Sequence, residues 1–183
     1  MNTNRLSKTL ASALNAQVAK EAHASQIYLS YASWSERQGF SGIANFLFKH
    51  AEEERNHMMK LIEYILNRGA EVNVLAIPAP NENPATLLGC FEKIFEHETN
   101  NTKAIYTIVK LSHEEEDWAT LNFMQWFVKE QIEEETLAMN MLDKIKLSGG
   151  EKLNNNALYL LDMDLAKSSG DVRPAQDVTA VNP

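Results

Sequence analysis

The chain has 183 residues, 25 Asp and Glu against 17 Lys and Arg, a formal net charge of -8 and a single cysteine. The length suffices for one domain with a sizeable core, while the acidic balance argues against a phosphate backbone as the main partner, because nucleic-acid binding needs clustered Lys and Arg. One cysteine excludes an intrachain disulfide framework, and no segment has signal-peptide character or approaches the ~20 apolar residues of a membrane span, so the expectation is a soluble cytoplasmic protein with neither nucleic-acid nor membrane partners.

Glycine and proline divide the chain. Residues 6–36 contain neither, and Leu10, Leu14, Val18, Ile27, Tyr28 and Tyr31 recur at helical spacing, which predicts a first amphipathic helix. Gly39 and Gly42 are read as its break. A second helix is predicted over 43–68, with Gly69 as its stop. The stretch that follows contains Pro78, Pro80 and Pro84 and cannot be one helix. A third helix is predicted over 85–113, a fourth over 117–147 and a short fifth over 157–166. The linker from Gly69 to Pro84 can reach ~50 Å when extended, against ~39 Å for a 26-residue helix. It can therefore run the length of a bundle and make helices two and three parallel. The predicted fold is all-α, a four-helix bundle with one long crossover. Residues 1–167 form its domain, and the polar residues 168–183 are expected to be a disordered tail. Cys90, inside the apolar run Leu87-Leu88-Gly89-Cys90-Phe91, is expected to be a small core residue.

The informative feature is carboxylates in apolar rows. Helix one repeats Leu14, Glu21, Tyr28 at sevens, and helix two repeats Leu47, Glu54, Leu61. His57, three residues after Glu54, shares its face. Helix three sets Glu98 between Phe91 and Ile105. Helix four sets Gln131 four after Phe127, and Glu134 seven before Met141. Four acids thus point inward with no inward Lys or Arg beside them. A buried carboxylate costs several kcal/mol unless it is neutralised. Bound cations supply that neutralisation, and a carboxylate-rich set with one imidazole suits iron or manganese and can take zinc. Glu53, Glu130 and Glu133 form a flanking acidic group, either a solvated face or a further cation site. Glu52, Glu63, Glu115 and Glu135 are expected at the surface, and the acidic run 113–117 as an exposed, helix-capping turn. His50 and His97 are read as packing or surface residues. His23 is given no role.

These residues resemble those of the bacterial non-haem ferritins. The resemblance covers residues 6–165 and is carried by LNAQVAKEAHASQIYLSYASW, FLFKHAEEERNHMMKL and LNFMQWFVKEQIEEE. It implies that Glu21, Glu54 and His57 hold a first iron, and that Glu54, Glu98 and Glu134 hold a second, with Glu54 bridging and Gln131 close by. Tyr28 would stand beside this centre, to hydrogen-bond or donate an electron. Glu53, Glu130, Glu133 and Glu134 resemble a third iron site. The implied function is iron storage and detoxification: Fe(II) is oxidised by O2 or H2O2 and mineralised inside a homo-24-mer cage.

The chain also departs from related families. Bacterioferritins carry a second Glu-x-x-His on helix four, where this chain reads Gln131-Ile132-Glu133-Glu134, and a haem-binding Met where this chain has Arg55. No haem is therefore expected. The acids of the three-fold channels in animal ferritins correspond to Leu121 and Met124. Rubrerythrin-like peroxidases need cysteine pairs, mineral-nucleating subunits would lack the inward Glu21, Glu54, His57 and Glu98, and DNA-protecting mini-ferritins place their site between subunits and lack the fifth helix.

Overall fold

The computed structural model describes residues 3–80, 83–150 and 154–169. They contain five helices and no strand: α1 (Lys8–Arg37), α2 (Ser41–Asn67), α3 (Leu87–Glu114), α4 (Trp118–Leu147) and α5 (Asn155–Ser169). Among the described residues, no helix is long and apolar enough to cross a membrane. The expected tail begins inside α5, which runs to Ser169; the rest of that tail, 170–183, lies outside the described residues.

Local chemistry sets most of the boundaries. Ser7 caps α1 by accepting from Leu10 N, Thr86 caps α3 by accepting from Gly89 N, and Asp117 caps α4 by accepting from Thr120 N, each at 3.0 Å. Each such cap is worth ~1 kcal/mol. The end of α2 turns at Gly69, whose φ is 71°. Gly69 N donates to Leu66 O at 2.9 Å and Ala70 N to Ile65 O at 3.1 Å. This is the paired closure that a left-handed residue permits.

The packing gives the direction of each helix. One core cluster joins Ile27 and Tyr31 of α1, Ile43 and Leu47 of α2, Phe91 and Ile94 of α3, and Met141 and Ile145 of α4. The other joins Leu10 and Leu14, Leu61 and Ile65, Ile105 and Ile108, and Met124 and Phe127. The starts of α2 and α3 therefore share one end of the bundle with the finishes of α1 and α4. So α2 and α3 run parallel, and the crossover spans the bundle. It is tied along α1. Asn15 Nδ2 donates to Glu71 O at 3.1 Å and Asn15 Oδ1 accepts from Asn73 N at 2.7 Å. Fifteen residues further along α1, Ser30 Oγ donates to Asn83 Oδ1 at 3.3 Å.

The sequence reading of Gly42 as a helix break is corrected. Gly42 lies inside α2, and a Cβ there would collide with the carbonyl oxygen of Asp162 in α5. No side chain at the start of α2 caps it; instead Asp162 Oδ1 accepts from Ile43 N at 2.9 Å. The fifth helix thus both requires the missing side chain and supplies the missing cap. Leu161 and Leu165 are buried there, at ~1.5–3 kcal/mol each. Gly42→Val should therefore release α5. Amide exchange should lose its protection over 155–169 while α1–α4 keep theirs. Unchanged protection in α5 would show that its seat does not depend on this contact.

Candidate metal centre

Between the two apolar clusters lies a polar layer. The seven-residue rows that frame it are fully packed: Leu14, Tyr28, Leu47, Leu61, Phe91, Ile105, Phe127 and Met141 are all buried. The polar members of the same rows, Glu21, Glu54, His57, Glu98, Gln131 and Glu134, are buried with them.

Glu21, Glu54 and His57 each present a ligand atom, and these atoms all lie within 4.8 Å of one another. His57 Nδ1 stands 3.9 Å from Glu21 Oε2 and 3.7 Å from Glu54 Oε2. Ligand atoms about 2.1 Å from a common cation are separated by about 3–4 Å, so the spacing matches the edge of a coordination sphere. Glu21 Oε2 and Glu54 Oε2 are buried without any hydrogen-bond partner. Buried carboxylate oxygens are almost always satisfied, and two orphans facing one imidazole nitrogen fit a cation between them. Trp126 and Phe127 meet the His57 ring edge-on, with centroids at 5.3 and 6.2 Å, and Nε2 faces Glu130 Oε1 at 3.9 Å. Nδ1 is thus the nitrogen turned toward Glu21 and Glu54.

Glu98 completes the second side. Tyr28 Oη donates to Glu98 Oε1 at 2.8 Å, and Gln131 Nε2 donates to Glu98 Oε2 at 3.3 Å. Burial pushes the Glu98 carboxyl up to about 7, against the lowering effect of the Tyr28 and Gln131 hydrogen bonds. Burial, then the charges of Glu98 and Glu53, push Glu134 up to about 8. Glu54 is held well above the usual carboxylate range by burial and by the charges of Glu21 and Glu98. Burial, then the charges of Glu98, Glu134 and Glu54, raise the Tyr28 phenol well above its ordinary value. These mutual effects place the acids of all four helices in one electrostatic unit.

The flanking acids line a cleft of about 360 Å³ on the α2–α4 side, together with Phe46, Lys49, His50, Glu134 and Leu137. Within it, His50, Glu53 and Glu134 bring ligand atoms within 4.8 Å of one another. His50, read from the sequence as a packing or surface residue, is buried and also faces this acidic group. Its ring packs tilted against Phe46, centroids 4.2 Å apart, and its Nδ1 donates to Phe46 O at 2.9 Å. In the neutral ring, which burial favours, that bond puts the proton on Nδ1 and leaves Nε2 free, 3.7 Å from Glu53 Oε2. Glu133 is exposed and pairs with Lys129 at 3.3 Å. Glu130 is half-buried.

Other expectations divide. Glu52, Glu63 and Glu115 are exposed, but Glu135 is half-buried and accepts from Thr102 Oγ1 at 2.5 Å. His23 and His97 pack edge-on at 6.4 Å. Cys90 is buried, and burial pushes its thiol up to about 12, which makes it inert. Met124 is fully buried in the core, so it offers no side chain to a channel. Two residues that the sequence reading did not single out, Gln17 and Asn101, are buried beside Glu21.

The ferritin-like domain family matches residues 11–148. The chain is similar to the bacterial non-heme ferritin of Campylobacter jejuni, at 43% identity over 157 residues that cover 86% of this chain and 92% of the relative. It is also similar to the bacterial non-heme ferritin of Staphylococcus saprophyticus, at 35% identity over 166 residues, 91% of this chain and 98% of the relative. Among solved structures it is similar to the open pore ferritin of the hyperthermophilic archaeon Archaeoglobus fulgidus. There the TM-score is 0.84 and the identity 36%, over 92% of this chain and 99% of the other.

Proposed function

The chain belongs to the ferritin family, and on that premise we propose that its buried polar layer is a ferroxidase centre binding two Fe(II) per subunit. The protein stores iron, taking Fe(II) as substrate and converting it to Fe(III). The observation that carries the site reading is the buried Glu21–Glu54–His57 group with its two unpartnered carboxylate oxygens. Glu21, Glu54 and His57 are assigned to the first iron; Glu54, Glu98 and Glu134 to the second, with Gln131 beside it. Glu54 would bridge the pair.

Each Fe(II) gives up one electron. With O2 as oxidant, two electrons and two protons yield H2O2; with H2O2, they yield two waters. Hard anionic carboxylates favour Fe(III), and two metals at one site can hold the oxidant between them. Burial favours the protonated forms of Glu54, Glu98 and Glu134, whereas a bound cation favours their ionised forms, so iron loading is linked to proton release. Tyr28 orients Glu98 through its hydrogen bond; were it to supply an electron, its proton would pass to Glu98 Oε1. A single histidine among oxygen ligands lets Fe(III) move on. The adjoining cleft, with Glu53, Glu130, Glu133 and Glu134, forms a third iron site on the exit side, and His50 joins it. Each Fe(III) then hydrolyses to oxyhydroxide mineral with release of three protons. Assembly into a homo-24-mer encloses that mineral, with the cytoplasm as its compartment.

Anaerobic loading of the purified protein followed by O2, with mass measured by light scattering, tests this reading. Two Fe(II) per subunit should bind before a weaker third, ferric absorbance should develop within seconds of adding O2, and the 20.7 kDa chain should assemble to a mass of ~500 kDa, as 24 subunits in a closed point group require. A monomer or dimer at neutral pH would overturn the cage, and no ferric product would overturn the ferroxidase. Glu134→Ala should weaken the second and third sites together while sparing the first. Unchanged occupancy at both would remove Glu134 from either set.

A further inference from the structure

The amides around the centre form one directed chain. Gln17 Nε2 donates to Glu21 Oε1 and to Asn101 Oδ1, both at 2.6 Å. Asn101 Nδ2 donates to Glu21 Oε1 and to Gln131 Oε1, both at 3.4 Å. Gln131 Nε2 donates to Glu98 Oε2 at 3.3 Å, to Glu98 O and to Thr102 Oγ1. At both ends the amide NH2 groups face carboxylate oxygens that accept from them, Glu21 Oε1 at one end and Glu98 Oε2 at the other. Gln17 is 1% exposed and Asn101 5%, so neither faces solvent.

This chain treats the two oxygens of Glu21 differently. Oε1 receives both amides, whereas Oε2 has no partner and stands 3.9 Å from His57 Nδ1. We infer that Gln17 and Asn101 are positioning residues for the first iron: they hold Glu21 Oε1 and so present Oε2 alone as a one-oxygen ligand. Residue type matters here. A Lys or Arg would hold Oε1 as firmly but would cancel the charge the cation needs. An acid would repel Glu21. A neutral amide orients the carboxylate and leaves its charge for the metal, and one-oxygen ligation leaves Fe(III) free to depart. The chain also ties Glu21 on α1 through Asn101 on α3 to Gln131 on α4, and so to Glu98 on the second iron's side.

The inference rests on the reading of Glu21 as an iron ligand, and the test separates the two. Gln17→Met keeps the side chain's shape and removes both donors; Asn101→Ala provides a second variant. Anaerobic Fe(II) titration by calorimetry, and the visible bands of Co(II) added in place of iron, report the first site without turnover. Outer hydrogen bonds to ligands are typically worth 10- to 100-fold in metal affinity. First-iron affinity in Gln17→Met should therefore fall at least tenfold and the Co(II) bands should change. The second iron and the melting of the iron-free cage should stay near wild type. First-site affinity within twofold of wild type would overturn the inference, as would equal weakening of both irons with a lowered melting temperature, which marks a packing role. Glu21→Ala is the control: if it still binds the first iron, the ligand assignment itself fails; if it loses that iron while both amide variants keep it, only the positioning role fails.

Discussion

Glu54→Ala is expected to abolish fast Fe(II) oxidation while leaving the iron-free protein as stable as wild type or more so. The two halves have separate causes. Glu54 is the one carboxylate on the inner row of α2 with neighbours on both sides of the centre. His57 Nδ1 is 3.7 Å from its Oε2, and its carboxyl feels Glu21, Glu98 and Glu134. In the proposed centre, removing it would take a ligand from each iron and the bridge that spaces them. Without iron, the same group is a liability. It is 1% exposed, and burial with the charges of Glu21, Glu98 and Glu134 holds its carboxyl well above the usual range. Folding at neutral pH must therefore put a proton on a group that the unfolded chain leaves ionised. Alanine removes that cost, against about 1–2 kcal/mol for the space left behind. Stopped-flow absorbance after mixing two Fe(II) per subunit with O2, paired with melting of the iron-free cage, reads both halves. Wild-type rates would refute the bridging role. A collapsed iron-free fold would make Glu54 structural.

The architecture was legible because its causes are local. Gly39, Gly69 and the prolines at 78, 80 and 84 mark the breaks, and the inner rows repeat at sevens on every long helix, so an acid in such a row stands out against its apolar neighbours. Gly42 was misread because its reason is not local: the atom that forbids a side chain belongs to Asp162, 120 positions away. Gln17 and Asn101 went unnoticed, and His50 was read only as a packing or surface residue, for a different reason. Uncharged polar residues on a helix are unremarkable one at a time. Yet the spacing held a signal. Gln17 precedes Glu21 by four, Asn101 follows Glu98 by three, and His50 precedes His57 by seven. A residue one or two turns from an inward acid shares its face, and a buried carboxylate needs donors, so those positions are where supporting groups belong. What periodicity cannot supply is which oxygen each donor takes. That depends on how α1, α3 and α4 meet across the core.

The iron-free protein should lose stability as pH rises from 7 to about 8, and a bound divalent cation should erase that loss. Burial holds Glu98 at about 7 and Glu134 at about 8, both from an ordinary value of 4.5, and Glu54 also well above it. Below the ordinary value, both folded and unfolded chains are protonated and the contribution of these acids is fully present. Above it, the unfolded chain releases protons that the folded protein keeps, so stability declines until the folded groups ionise in turn. The buried histidines act in the opposite sense at lower pH. Burial pushes His97 down to about 4 and also lowers His50, so their contribution is complete above about 6.5 and is lost as pH falls. The interval from 7 to 8 therefore isolates the acids. Each group still holding its proton there contributes about 1.4 kcal/mol per pH unit, so the expected loss is about 1–3 kcal/mol per subunit. A divalent cation requires the ionised carboxylates and competes with their protons, so Co(II) or anaerobic Fe(II) should flatten or reverse the slope. Melting in chelator and in Co(II), at pH 7 and pH 8, measures both. Glu134→Gln, which carries no titrating proton, should make the chelator slope shallower, leaving the part due to Glu54 and Glu98. A chelator slope that is already flat in the wild type would mean that these acids are ionised in the folded protein, and the argument from burial would fall with it.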